Sequence, residues 1–137
     1  MLLGQLAPAV DSIRLSLHVL GATVWVGGQI TVAGLVPTAR RLGPDAPQRV
    51  ARAFSRLSWP AYVLLLGSGI WNVFAAASGQ PRRWSIVLGV KIGVVVLAGI
   101  AAWLHGRSRS RTGLALWGAV TSLASLAALV LGILLAG

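Results

Sequence analysis

The run LALWGAVTSLASLAALVLGILL, from Leu114 to Leu135, contains no charged residue and no proline. At about 1.5 Å of rise per residue it is long enough, as a helix, to cross a hydrocarbon core of roughly 30 Å. Working outward from it, three more stretches read the same way: about Ser12 to Val36, about Phe54 to Ala77, and Trp84 to Leu104. Pro37 closes the first and Pro81 precedes the third, as residues that do not continue a helix. The pattern predicts an all-α integral membrane protein. Its expected architecture is an up-down bundle of four transmembrane helices, one domain over residues 1–137.

Composition points the same way. The chain is 56% hydrophobic and 10% charged, where a soluble domain carries about 25% charged residues. A net charge of +10 would suggest nucleic acid in a soluble protein. Here the arginines lie between apolar runs, where basic residues orient a membrane chain and meet anionic head groups. Nucleic acid is therefore not an expected partner. With no Cys, and Met1 as the only Met, disulfides, thiolate sites and a thioether copper site are excluded. The chain has no Glu, Asp11 and Asp45 lie outside the apolar runs, and no Ser or Thr has an evident His–acid pair, so no hydrolytic enzyme is expected. No basic region precedes the first apolar stretch, and Asp11 and Arg14 stand where a cleavage site would be, which predicts that this stretch is retained.

Orientation follows from the loops. The first and third, with their flanks, carry Arg40, Arg41, Arg49, Arg52, Arg56, Arg107, Arg109 and Arg111, against Arg14, Arg82 and Arg83 on the other side. Both termini are expected outside a plasma membrane, with the Arg-rich loops cytoplasmic. In the first loop Asp45 is a candidate N-cap with Pro47 in the first turn. Arg49, Arg52 and Arg56 then share one face, and Val50, Phe54 and Leu57 another. That predicts an interfacial helical entry to the second span, with a bend at Pro60.

The informative residues are the polar ones inside the spans, because an ionisable side chain there costs about 2.5–3.5 kcal/mol on insertion scales. They are His18, Lys91 and His105, with Gln29 and Asn72 as the main amides. His18 lies roughly 9 Å and Lys91 roughly 10 Å from the outer ends of their spans, and Asn72 about five residues from its own. The three are expected to share one layer in the outer half. His105 is roughly 21 Å of helix from Lys91 and belongs with the head groups. Arg14, His18, Gly21, Trp25 and Gln29 recur every three or four residues, as do Lys91, Val95, Ala98, Ala102 and His105, while Tyr62, Gly69 and Asn72 share a stripe. Trp25 is too deep to be an interface anchor, unlike Trp71 and Trp84. Lys91 either faces this polar layer or snorkels to the interface. Small residues, Gly89 with Gly93 and Gly118 with Ser122 and Ser125, are read as intramolecular packing positions, with a homodimer as the other use.

The segment LHVLGATVWVGG, Leu17–Gly28, resembles the first-helix signature of the CopD (copper-resistance protein D) family, H-x6-W-x-G-G, through His18, Trp25, Gly27 and Gly28. Further similarity lies in RAFSRLSW, in the Trp-Asn after Gly69, and in LGVKIGVVVLAGIAAWLHGRSR with Lys91 inside it. The resemblance implies copper transport or tolerance in the membrane, with a copper ion meeting His18 together with Gln29, Asn72 or a second subunit's His18. An intramembrane His and Lys also resemble the HemJ-type haem-binding membrane proteins, which implies haem b, His18 as axial ligand and Lys91 as a second ligand or a cation for a propionate. The Pro-Arg-Leu run of that group is absent, and Val36-Pro37-Thr38-Ala39-Arg40-Arg41 comes later. The expectation is thus a CopD-like copper protein. The alternatives are a haem-binding redox protein, a protoporphyrinogen oxidase-like enzyme, or a small accessory subunit of a larger membrane complex. The site residues expected are His18, Lys91, Asn72 and Trp25 around a cofactor, and His18 with Gln29 for a metal.

Overall fold

The computed structural model describes residues 8–137. The reading of Met1, and part of the case for retaining the first apolar stretch, lie outside the described residues. Four helices follow one another: α1 (Ala9–Leu42), α2 (Ala46–Ala76), α3 (Arg82–Arg107) and α4 (Arg111–Ala136). Each is long and apolar enough to cross a membrane, and no strand occurs among the described residues. Phe74, Val63, Ile133 and Leu134 are among many large apolar side chains left exposed. Lipid is the solvent that suits them.

The helices are longer than the apolar runs predicted. Pro37 does not end α1, which continues to Leu42, and Pro60 lies inside α2. Each proline removes one backbone donor, a loss that membrane helices tolerate through local adjustment and neighbouring groups. The helical entry expected before the second span is continuous with that span in one helix. Arg49, Arg52 and Arg56 sit on the first three turns of α2. Pro47 is in its first turn, but Asp45 caps it only through the backbone, its carbonyl accepting from Arg49 N at 3.1 Å. The α1–α2 turn needs Gly43, at φ +151°, and the turn before α3 needs Gly79, at φ +75°; both angles are unfavourable for side-chain-bearing residues. Ser110 caps α4, its Oγ accepting from Gly113 N at 3.0 Å.

The chain groups into two compact units, residues up to Gly28 with Leu35–Ser78, and Gln29–Gly34 with Gly79–Gly137. In the first, α1 and α2 run antiparallel and meet most closely at Gly21. A Cβ there would stand 3.1 Å from the Ala61 carbonyl oxygen and 3.0 Å from Leu65 Cγ. In the second, α3 and α4 run antiparallel. Trp84 Nε1 donates to the Leu135 carbonyl at 3.4 Å, the Thr121 hydroxyl to the Ala98 carbonyl at 2.9 Å, and His105 lies against Gly118. Gly118 thus has the packing role expected of it. Gly89 and Gly93 do not: no atom of the described residues beyond their own helix surroundings comes within 4 Å of where their side chains would begin.

This difference between glycines gives a stability prediction. Gly21→Leu should overpack a backbone contact and lower stability by about 1–3 kcal/mol. Gly67→Leu, where nothing lies within 4 Å, should be neutral or slightly stabilising. Thermal unfolding in detergent reads both; equal losses would show that the Gly21 approach does not hold the pair together.

Candidate site around His18

The α1–α2 pair is built as a series of facing rungs. Nearest the Ala9 end of α1, the Arg14 guanidinium donates to Asn72 Oδ1 and, at 2.9 Å, to Asp11 Oδ1. One turn further, His18 Nδ1 lies 3.0 Å from Ser68 Oγ. Gly69 leaves room for the ring: a Cβ there would sit 3.4 Å from His18 Cε1. Next comes the Gly21 contact, and then Trp25, which is 4% exposed. Its ring centroid is 4.6 Å from that of Tyr62 and 5.9 Å from that of Trp59. Gly28 closes the series, since any Cβ there would collide with the Phe54 ring. The charged side chains of this interface, Asp11 and Arg14, and the imidazole thus lie at one end, and the aromatic cluster lies beyond them.

Hydrogen bonding fixes the chemistry of the imidazole. Ser68 Oγ donates its single proton to the Leu64 carbonyl at 2.6 Å. Toward His18 it can then act only as an acceptor, which places a proton on Nδ1. A second-shell partner that sets tautomer and ring orientation in this way is what metal-bound histidines have. Ser68 was not singled out in the sequence, although it lies four residues before Asn72 and next to Gly69, on the stripe that faces α1. Trp59 was missed likewise.

The Trp25-Val26-Gly27 part of the signature falls on a π-helical turn, Thr23–Gly27, set in α1, and Gly28 follows it directly. Thr23 Oγ1 donates back to the Val19 carbonyl at 2.8 Å, and such wide turns are frequent at functional positions. The turn alters the phase of the side chains beyond it, which period-3.6 reasoning does not anticipate.

The other expected site residues lie in the second unit. Gln29 Nε2 donates to Ser125 Oγ at 3.2 Å, and its Oε1 accepts from Ser122 Oγ at 3.3 Å. Both ends of the amide are engaged, so Gln29 ties its segment to α4 and is not presented as a ligand. Half-buried Lys91 extends across α4 at Gly132, where a Cβ would come within 2.9 Å of Nζ. That is the last part of α4, where a helix end favours a cation. His105 Nδ1 lies 2.9 Å from the Leu114 carbonyl oxygen and serves the α3–α4 connection. Among the described residues no three His, Cys, Asp or Glu side chains come together as a metal set. No family model, curated protein or solved structure matches the chain.

The tautomer is directly measurable. Nitrogen NMR of histidine-labelled protein should find His18 protonated at Nδ1, and Ser68→Ala should convert it to a mixture. An Nε2-protonated ring in the unsubstituted protein would overturn the assignment.

Proposed function

We propose that the chain is a CopD-like membrane protein that handles copper, with His18 as its ligand, as the H-x6-W-x-G-G resemblance implies. The observation that supports this reading is His18 held by Ser68, Nδ1 to Oγ 3.0 Å, between two apolar helices. Packing accounts for Trp25 and Gly28 in the same motif, through the aromatic cluster and the Phe54 ring. It does not call for an imidazole at position 18. Copper is the cargo here, and one imidazole does not complete a copper site. The remaining donors would come from a second copy's His18 or from the molecule that delivers the metal.

Haem b is the second reading, and a specific observation favours it. A haem needs one axial imidazole from a helix, and the Arg14 guanidinium, one turn from His18, is placed to pair with a propionate. Bound haem would supply one-electron chemistry, for which His18 would hold the iron and the helix pair would exclude water.

The absorption spectrum and elemental analysis of the purified protein separate the two. His18→Ala should remove the bound copper or the haem band, whereas His105→Ala should leave either in place. Equal loss in both variants, or none in His18→Ala, would end the proposal.

We also propose that both termini face outward, that the Arg-rich loops are cytoplasmic, and that those loops meet anionic head groups, from the excess of arginine in the first and third connections. A periplasm-active reporter fused after Gly137 should be active and a cytoplasm-active one silent. The reverse pattern would invert the topology and move His18 to the inner half.

A further inference from the structure

α2 has two unlike faces. Phe54, Ala61, Leu65 and Asn72 meet α1. Arg49, Arg52 and Arg56 stand on the opposite side of the helix, and all three are exposed. At about 1.5 Å per residue they make a ladder roughly 10 Å long. Beyond Arg56 the same stripe continues at helical spacing through Val63, Gly67 and Ile70, and there it is apolar. Val63 is 65% and Ile70 59% exposed, and nothing lies within 4 Å of where a Gly67 side chain would begin.

The protein's own acids do not meet this ladder. Asp11 and Asp45 are the only two, and Arg14–Asp11 is the one ion pair among the described residues. Lacking Glu, a second copy of the chain has no acidic face to offer either. Depth adds a further demand. The Phe54 ring lies against Gly28, and Arg56 is two residues further along α2 from the α1–α2 turn. Gly28 is eight residues inside Val36, where the apolar run of α1 ends, so Arg56 stands roughly 12 Å within that run. A cation facing lipid at this depth is costly. The Cα–Cβ bonds of α2 tilt toward its N-terminus, which directs the Arg56 stem toward Arg52 and the head-group level. An anion drawn down to the ladder meets the rest of the demand. An acidic protein helix in that place would have to carry carboxylates into the apolar layer, whereas a lipid brings its charge at the head group and its chains below.

We infer that this face of α2 holds one phospholipid of the surrounding bilayer that carries two phosphate groups. The phosphates lie along Arg49, Arg52 and Arg56, whose guanidinium edges match phosphate oxygens in pairs, and the acyl chains follow Val63, Gly67 and Ile70. A single phosphate does not reach both ends of a ladder that long. The inference rests on the reading that the Arg-rich connections meet anionic head groups, and gives one of them a lipid class and its residues.

Native mass spectrometry of the full-length protein in detergent tests it with three probes. They are tetraoleoyl cardiolipin, with two phosphates, dioleoylphosphatidylglycerol, with one, and dioleoylphosphatidylcholine, with no net charge. The unsubstituted protein should bind one cardiolipin about tenfold or more tightly than phosphatidylglycerol, and phosphatidylcholine more weakly than either. Arg49→Gln, Arg52→Gln and Arg56→Gln together should abolish the preference for cardiolipin. Arg107→Gln, Arg109→Gln and Arg111→Gln together should leave it intact. If the α2 triple variant fails to insert, Arg56→Gln alone keeps most of the arginine excess and should reduce the preference about threefold or more. Excess pyrophosphate, which has the charge but no chains, should not displace bound cardiolipin. Equal binding of cardiolipin and phosphatidylglycerol, displacement by pyrophosphate, a preference untouched by the α2 substitutions, or equal loss in both triple variants overturns the inference and leaves the head-group reading standing. No distinction between the anionic lipids and phosphatidylcholine overturns that reading as well.

Discussion

A polar group in the hydrocarbon of a bilayer has no water to turn to, so its hydrogen bonds are made within the protein or not at all. That constraint organises both units. Thr121 donates to a carbonyl on the facing helix, the Gln29 amide is held by two serine hydroxyls, and Ser68 divides its bonding between its own helix and His18. Helix association in lipid gains little from the hydrophobic effect, so close approach at small residues and such interhelical bonds supply the specificity. Gly21 lies against the backbone of the facing helix, and Gly118 against the His105 ring. Against this background Arg14 Nε is the buried side-chain donor left without an acceptor among the described residues.

Within the first unit the constraint also has a direction. Asp11, Arg14, Asn72, His18 and Ser68 occupy one end of the α1–α2 interface; beyond them lie the Gly21 backbone contact and the Trp25–Trp59–Tyr62 cluster.

Much of this was legible in the sequence, and the limits have physical causes. Apolar length alone identified four spans, because the bilayer sets a minimum that few soluble segments meet. The facing stripes were readable where the helix keeps its 3.6-residue period: Asn72 meets Arg14, Gly69 meets His18, and Tyr62 meets Trp25. Helix ends were less legible, since Pro37 and Pro60 ordinarily punctuate a helix and here do not. The π turn at Thr23–Gly27 has no signature that hydrophobic periodicity detects, so Gln29 was placed on the His18 stripe. Ser68 was passed over because serine is common in membrane helices. Only its position opposite an imidazole gives it significance.

The two cations inside the spans show how placement decides function where residue type does not. Sequence reasoning weighted Lys91, a charge in the midst of an apolar run, over Arg14, one of three basic residues at span ends. Lys91 crosses α4 at Gly132, toward the end of the helix whose terminal carbonyls suit an ammonium. Arg14 is the more buried of two partners in an i,i+3 pair, fixed by an amide on the facing helix, with a donor left over. A guanidinium keeps its charge at any accessible pH and presents a fixed planar edge, whereas an ammonium is a point charge on a flexible stem. Arg14 is therefore the cation that the α1–α2 interface fixes in place, even though Lys91 is the more conspicuous one in the sequence.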